Sequence, residues 1–213
     1  MVTSPGIKGR ASRADAAKSR RQAILKAART VFARQGYANT LIDDVAAAAG
    51  IAKGTVYLYF ASKEQIYLEA LLERAREVEA RSRARILEAA TWQEKIRAYM
   101  ETRVEYLNAH QDFFRIYATE FRNMCMQGKA IGAELQDLVR QGEQQVAQVL
   151  AVAAAKGEIR PLDPDLGAAM ISDLMRGLVD RTLLAFRRTP VAEDLEFTLD
   201  CVYRALAKEA NPA

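Results

Sequence analysis

The chain has 213 residues, which is enough for one large domain or for a small domain and a larger one. Half of its residues are hydrophobic and 27% are charged, so the composition allows a buried core and excludes intrinsic disorder over the whole chain. Residues 1–62 carry ten Lys and Arg against three acidic residues, whereas the remainder carries 21 against 24. A basic N-terminal end favours contact with a polyanion, although a solvated basic tail has the same charge.

Two cysteines, Cys125 and Cys201, stand alone without a CxxC partner. No signal-peptide hydrophobic region lies at the N-terminus, and no apolar stretch is long enough to span a membrane. We therefore expect a cytoplasmic, reduced protein without a membrane partner, in which both cysteines are small core residues.

The N-terminal residues predict an arm followed by one helix. Residues 1–13 contain Gly, Ser, Pro and scattered basic residues, which are typical of a flexible arm. From about Asp15 onward, apolar residues recur at spacings of three and four, so an amphipathic helix is predicted. Gly36 is suited to end this helix, because glycine tolerates the positive φ common at helix C-termini.

Two short helices are predicted next. Thr40 with Asp43 resembles a capping box, so a second helix is expected over 41–49, ending at Gly50. A third helix begins near Lys53, and two short helices joined by a glycine-containing turn form a helix-turn-helix. An ordinary helical hairpin is the alternative. Against it, the third helix carries polar-tipped side chains that cannot all be buried, namely Lys53, Thr55, Tyr57 and Tyr59.

The rest of the chain predicts helix after helix. A capping box at Ser62 and Gln65 opens the first of them, and Thr91 marks a break. Asp163 and Thr189 each precede a proline, so each is predicted as an N-cap followed by proline at the first helical position. The predicted spans are 62–88, 92–109, 112–127, 130–156, 164–188 and 190–209. We therefore expect an all-α fold of about nine helices, with a three-helix helix-turn-helix domain over 1–62 and a larger helical domain over 63–213.

Residues 20–70 resemble the TetR family of repressors. The resemblance is carried by Ile24-Leu25-Lys26-Ala27-Ala28, Phe32, Gly36-Tyr37, Thr40, Val45 through Gly50, Ile51 through Phe60, and Ser62-Lys63-Glu64. It implies a DNA-binding domain of three helices followed by a helical domain for ligand binding and dimerisation. It also implies that the helix over 53–59 enters the major groove.

The resemblance implies a set of DNA contacts, position by position. The residues that match phosphate contacts are Thr40, Tyr57 and Lys63. The residues that match positions facing bases or the adjacent backbone are Lys53, Gly54, Thr55 and Tyr59. Ala52 departs from the family, which often has Ser or Thr there, and is left out because its side chain cannot bind phosphate.

The last two predicted helices favour a homodimer. The helix over 190–209 has one apolar stripe that includes Leu199 and a second that includes Phe197 and Cys201. A helix that is apolar on two faces is usually covered on both, here by its own domain and by a second copy. We therefore expect dimerisation through helices 164–188 and 190–209, with a monomeric core as the alternative.

Aromatic residues and methionines cluster in the middle helices, where a cavity among helices would be largely apolar. A small hydrophobic effector is expected, although most of these residues would also suit a plain core. Its candidate contacts are Tyr99, Arg103, Tyr106, Phe114, Tyr117, Phe121, Asp173 and Arg176. His110, the only histidine, lies near a predicted helix end and is expected at the surface or as a cap.

An enzyme is not expected, because the sequence holds no Ser/His/Asp or Cys/His set, no HExxH, no P-loop and no GxGxxG. No cofactor or metal site is expected either. The leading hypothesis is a ligand-responsive repressor that binds double-stranded operator DNA. The alternative is a helical binding or carrier protein that does not read a specific DNA sequence, and the sequence does not separate a repressor from an activator.

Overall fold

The computed structural model describes residues 6–111, 114, 130–183 and 189–208, which form eight helices and no strand. The all-α prediction is therefore confirmed. The helices are α1 (Gly6–Asn39), α2 (Ile42–Ala48), α3 (Lys53–Tyr57), α4 (Lys63–Glu88), α5 (Trp92–Ala109), α6 (Ala130–Ala155), α7 (Pro164–Leu183) and α8 (Val191–Leu206). Of the helix predicted over 112–127, only Phe114 lies in the described part of the chain.

The chain divides into two compact units, an N-terminal unit (Met1–Glu73) and a C-terminal unit (Arg74–Ala213). This division lies within α4, whereas the sequence placed the domain boundary at 62/63, just before that helix begins.

The first helix starts earlier than predicted, because residues 6–13 are helical and not a flexible arm. No proline occurs in this segment, and its Ala, Arg and Lys residues favour helix strongly enough to outweigh Gly9 and Ser12. The predicted stop at Gly36 is confirmed: its φ of 77° and ψ of 167° interrupt the helix before a short last segment. Glycine adopts this backbone without the steric penalty that a Cβ would bring.

The N-terminus of α2 lies one residue later than predicted. Its N-cap is Leu41, whose backbone N–H donates to Asp44 Oδ2 over 3.0 Å. The predicted cap at Thr40 with Asp43 is therefore wrong. Gly50, with φ 65°, ends the helix-turn-helix's first helix as expected.

Two capping boxes hold the N-termini of the longer helices. At α4, the Gln65 N–H donates to Ser62 Oγ over 3.1 Å, and the Gln65 side chain accepts from the Ala61 N–H over 2.7 Å. At α5, Thr91 and Glu94 exchange both bonds, so the break predicted at Thr91 is confirmed. Backbone hydrogen bonds lower the pKa of the Glu94 carboxyl.

The C-terminal unit packs α6 most extensively against α7, with α5 contacting α6 and α8. Asp163 caps α7 by accepting from the Leu166 N–H over 3.2 Å, as predicted. At α8 the cap is Pro190 and not Thr189, whose hydroxyl donates instead to the Asp194 carboxylate. Within the described residues, none of the helices combines the length and apolar character needed to cross a bilayer.

Helices α7 and α8 leave apolar side chains on one surface of the C-terminal unit. Exposed fractions are 63% for Leu166, 55% for Met170 and 71% for Phe197. The other stripe of α8, which includes Leu199, is buried. Cys201 is also exposed, so the expectation that it is a core residue is wrong; it lies on the outward stripe of α8, and Cys125 is outside the described residues.

Candidate DNA-binding surface and effector cavity

Helix α3 and the residues just after it are anchored by two buried side chains, and the other side chains of this segment are exposed or half-buried. Val56 and Phe60 are buried in the N-terminal unit. Tyr57 is 49% exposed, and Lys53 and Gly54 are also exposed, whereas Thr55 and Tyr59 are half-buried. The five sequence-predicted residues of this segment therefore lie at or near one accessible surface.

The ammonium of Lys53 is paired within the chain. Its Nζ donates to Asp43 Oδ2 over 2.8 Å, and this hydrogen bond raises the pKa of Lys53. Both side chains are half exposed or more, so the pair is readily broken in favour of another anion.

Gly54 is not required by the packing of the chain itself. A Cβ placed on it would meet no atom within 4 Å, and its φ is not positive. Glycine lowers the stability of a helix relative to alanine by up to about 1 kcal/mol. Its presence in α3 is therefore explained better by close approach of something outside the chain than by the fold.

Two predicted phosphate contacts have partners inside the N-terminal unit. Thr40 is fully buried, and its hydroxyl donates to the Gly36 carbonyl over 2.7 Å. Lys63 Nζ donates to the carbonyls of Tyr37 over 2.8 Å, Thr40 over 2.9 Å and Ala38 over 3.4 Å. The same ammonium lies 4.5 Å from the centroid of the Tyr37 ring. Both residues therefore hold the α1–α2 junction in this structure.

Arginines of α1 also act within the N-terminal unit. Arg29 is only 4% exposed and pairs with Glu73 over 2.9 Å. Arg21 pairs with Glu69, and its guanidinium lies 4.9 Å from the centroid of the Phe60 ring. These pairs fix α1 against α4.

A cavity of about 100 Å³ lies inside the C-terminal unit, among α4, α5, α6 and α7. Four of the predicted effector contacts line it: Tyr99, Arg103, Phe114 and Arg176. The other described lining residues are Ala75, Val78, Glu79, Leu135, Leu138, Val139, Ser172, Met175, Val179 and Asp180. Most of this wall is apolar.

The polar end of the cavity is organised around Arg103. Its guanidinium donates to Glu79 Oε1 over 2.5 Å and to Ser82 Oγ over 3.1 Å, and it stacks 3.6 Å from the Tyr99 ring centroid. The Tyr99 hydroxyl is 3.0 Å from Ser172 Oγ. Burial raises the pKa of the Glu79 carboxyl, an effect that the Arg103 charge partly offsets.

Two predicted effector contacts are not among the described lining residues. Tyr106 is buried, but its hydroxyl donates to Glu77 Oε2 over 2.7 Å. The pKa of Tyr106 is raised, most strongly by burial and next by this hydrogen bond. Asp173 is exposed and pairs with Arg176 over 3.0 Å. Tyr117 and Phe121 lie outside the described residues.

His110 is the C-cap of α5, as predicted, with its ring 4.3 Å from the Tyr106 ring. Sequence reasoning missed Glu79 and Ser82. Both lie on the inward stripe of α4, which also contains Ala75 and Ile86. Polar residues within an otherwise apolar helical stripe were the sequence signal that could have identified them.

Comparison with known proteins identifies the family. Residues 24–70 match the model of bacterial regulatory proteins of the tetR family, and residues 89–180 match the tetracyclin repressor-like C-terminal domain. The transcriptional repressor KstR2 of Mycobacterium tuberculosis is 30% identical over 156 residues, covering 73% of this chain and 77% of KstR2. The chain belongs to the TetR family. It is therefore a transcriptional regulator and not an enzyme.

Solved structures show the same TetR-family fold. FadR of Bacillus subtilis, in complex with stearoyl-CoA, has a TM-score of 0.75 at 23% identity, covering 85% of this chain and 96% of FadR. A regulator of Saccharomonospora viridis, in complex with choline, has a TM-score of 0.81 at 23% identity, covering 90% of this chain and all of the other.

Proposed function

We propose that this TetR-family regulator is a repressor that binds operator DNA as a homodimer and is released by a small hydrophobic effector. The observation that carries the proposal is α3, a short helix anchored by buried Val56 with Lys53, Gly54 and Tyr57 exposed in a basic N-terminal unit. Its relative KstR2 is itself a repressor.

We assign a chemical role on DNA to each predicted contact residue between Lys53 and Tyr59. Lys53 reaches the O6 or N7 of guanine after leaving Asp43, and the Thr55 methyl meets a thymine methyl. Tyr57 contacts phosphate, while Tyr59 and Gly54 face bases or the adjacent backbone. Thr40 and Lys63 act by fixing the α1–α2 junction that positions α3.

The homodimer is formed through helices 164–188 and 190–209. The exposed Leu166, Met170 and Phe197 supply an apolar surface that a second copy would cover. A two-fold dimer also has two recognition helices, which can bind two DNA half-sites about 34–36 Å apart, or a multiple of that distance.

The effector enters the cavity lined by Tyr99 and Arg103. FadR and the choline-bound regulator share the fold with chemically different ligands, so the ligand class follows from this chain's own lining. Helix α4 belongs to both units and is the path by which a change at the cavity reaches α3. Effector and operator then weaken each other's binding by the same factor.

A salt-dependent titration against the DNA flanking its own gene tests operator binding. We expect selective binding that Tyr57→Ala weakens by about tenfold or more, because a phosphate contact near the bases is lost. The control is Lys26→Ala, which removes a charge from an exposed position of α1. Equal binding to any duplex, abolished by moderate salt, would leave only counterion release and would favour the carrier alternative.

Sedimentation velocity tests the dimer. Met170→Glu places a charge on the exposed surface of α7, and we expect it to shift the chain toward monomer. Leu87→Glu is the matched control, because Leu87 is 78% exposed but lies on α4. A monomeric wild type, or equal sedimentation of both variants as dimers, would contradict the interface.

A further inference from the structure

One oxygen of the cavity's carboxylate has no partner. Glu79 Oε1 accepts from Arg103, but Glu79 Oε2 is fully buried and has no hydrogen-bond partner in the structure. A buried acceptor without a partner lowers the stability of the folded protein, and lowers it more when the acceptor is charged. The ion pair therefore presents one buried acceptor without a partner in the protein, on a side chain that lines an apolar cavity.

This carboxylate packs closely against a glycine. A Cβ on Gly142 of α6 would lie 2.7 Å from Glu79 Oε2 and 2.9 Å from Arg103 Nη2. Any side chain at this position would therefore displace the ion pair. The pair is seated against bare backbone, with both side chains only 12% exposed.

The buried charges of the cavity wall balance in the pair of Glu79 and Arg103, because Arg176 is exposed and pairs with Asp173. Among the described lining residues, the charged ones are Glu79, Asp180, Arg103 and Arg176. A buried ligand with a net charge would add an uncompensated charge to this neutral set, which is strongly unfavourable in an apolar surrounding. A neutral ligand avoids this penalty.

We propose that the effector is a small neutral alcohol or phenol whose apolar body fills the cavity and whose hydroxyl donates to Glu79 Oε2. The inference rests on the effector cavity of the proposed function and names its ligand class. The cavity of about 100 Å³ is smaller than the engineered cavity of about 150 Å³ that holds benzene, so it limits the apolar body to one small ring at most.

The test uses the full chain and four probes with one ring in common: benzyl alcohol, toluene, benzoate and benzylammonium. Binding is measured by ligand-observed NMR titration without DNA. We expect benzyl alcohol to bind more tightly than the other three. In a purely apolar cavity toluene would bind more tightly, because it has no hydroxyl to strip of water.

The variant Glu79→Gln separates the hydroxyl contact from packing. Its amide oxygen faces Arg103, so the NH₂ group takes the place of Oε2 and meets the ligand's hydroxyl donor with another donor. We expect benzyl alcohol affinity to fall about tenfold or more, the range for hydrogen bonds to charged groups. Toluene affinity stays unchanged, which also reports that the variant is folded. Asp180→Asn is the matched control, because it removes a charge from the same wall.

Preferential binding of toluene by the wild type would show that water alone satisfies Glu79 Oε2, and would overturn the proposal. Tighter binding of either charged probe would overturn it as well, as would loss of benzyl alcohol affinity in Asp180→Asn but not in Glu79→Gln. If the protein binds operator selectively but binds none of the four probes, the ligand class is refuted and the proposed repressor is not. Probe binding without operator selectivity refutes the proposed repressor but keeps the ligand class.

Discussion

Replacing Lys63 by methionine is expected to destabilise the junction between α1 and α2 in the absence of DNA. The Lys63 ammonium donates to the carbonyls of Tyr37 and Thr40 at 2.8 and 2.9 Å, with Ala38 at 3.4 Å. Methionine keeps an apolar stem of similar length and removes the charge and all three donors. The carbonyls at the end of α1 then lose the cation that satisfies them.

The size of the effect follows from the geometry. A hydrogen bond to a charged group contributes about 1.5–3 kcal/mol, and two of the three bonds of Lys63 are short. One ammonium makes all of them and is partly exposed to water, so the contributions do not add fully. We expect a loss of about 2 kcal/mol in the local opening free energy, which is a roughly 30-fold faster amide exchange.

Hydrogen–deuterium exchange followed by mass spectrometry measures this in peptides covering 36–50. Lys26→Met is the control, since Lys26 is an exposed lysine of α1. DNA affinity is measured in parallel over a range of salt concentrations. If exchange in Lys63→Met equals that of the wild type while the slope of log K against log salt falls by about one, Lys63 is a phosphate contact and the structural argument is refuted.

Three further outcomes are expected. Gly54→Ala raises the helix propensity of α3 without a clash, so it stabilises the protein slightly in the absence of DNA. It weakens operator binding, because the added methyl group lies where the DNA backbone would approach. Unchanged operator affinity would refute this. Asp43→Asn releases Lys53 and removes a negative charge, so operator affinity rises most at low salt in a titration; no gain would mean that the pair is not broken on DNA. Glu196→Gln removes a carboxyl whose pKa is lowered, mainly by hydrogen bonds from Arg97. The stability that this carboxyl adds to the folded protein is therefore present above pH 4.5 and is lost as the pH falls through the lowered pKa. The difference in melting temperature between wild type and Glu196→Gln therefore shrinks below pH 4.5, and a difference that is constant from pH 7 to 3 contradicts the assignment.

Helices were predictable where their signals are local. The span 92–109 is the same as α5, because Thr91 and Glu94 form a capping box and the apolar period runs unbroken after it. The start of α2 was misplaced because Asp43 and Asp44 are adjacent acids. Thr40 with Asp43 has the spacing of a capping box, as does the observed pair of Leu41 and Asp44. Leu41 is able to be the N-cap because Asp44 accepts from its backbone N–H, which any residue except proline provides.

The sites were harder to predict, because they depend on partners that are distant in the chain. Tyr106 and Tyr99 have the same chemistry and lie on the same helix, yet Tyr99 lines the cavity and Tyr106 bonds to Glu77. Glu79 was missed because every predicted effector contact lies between residues 99 and 176, whereas Glu79 lies on the preceding helix α4. Lys63 matched a phosphate contact by position, whereas only the fold reveals the carbonyls that lie around it.

The unpartnered oxygen of Glu79 bears on how an effector would act as well as on what it is. A ligand shifts an equilibrium only by its differential affinity for the two states. A ligand that donates a hydrogen bond to Glu79 binds the two states differently if Arg103 and Glu79 form their ion pair in one state and not in the other. Glu79 lies on α4, the helix common to both units, so a bond at this residue stabilises one position of that helix. By this argument a ligand without a hydroxyl, such as toluene, is expected to occupy the cavity and leave operator affinity nearly unchanged, whereas benzyl alcohol lowers it.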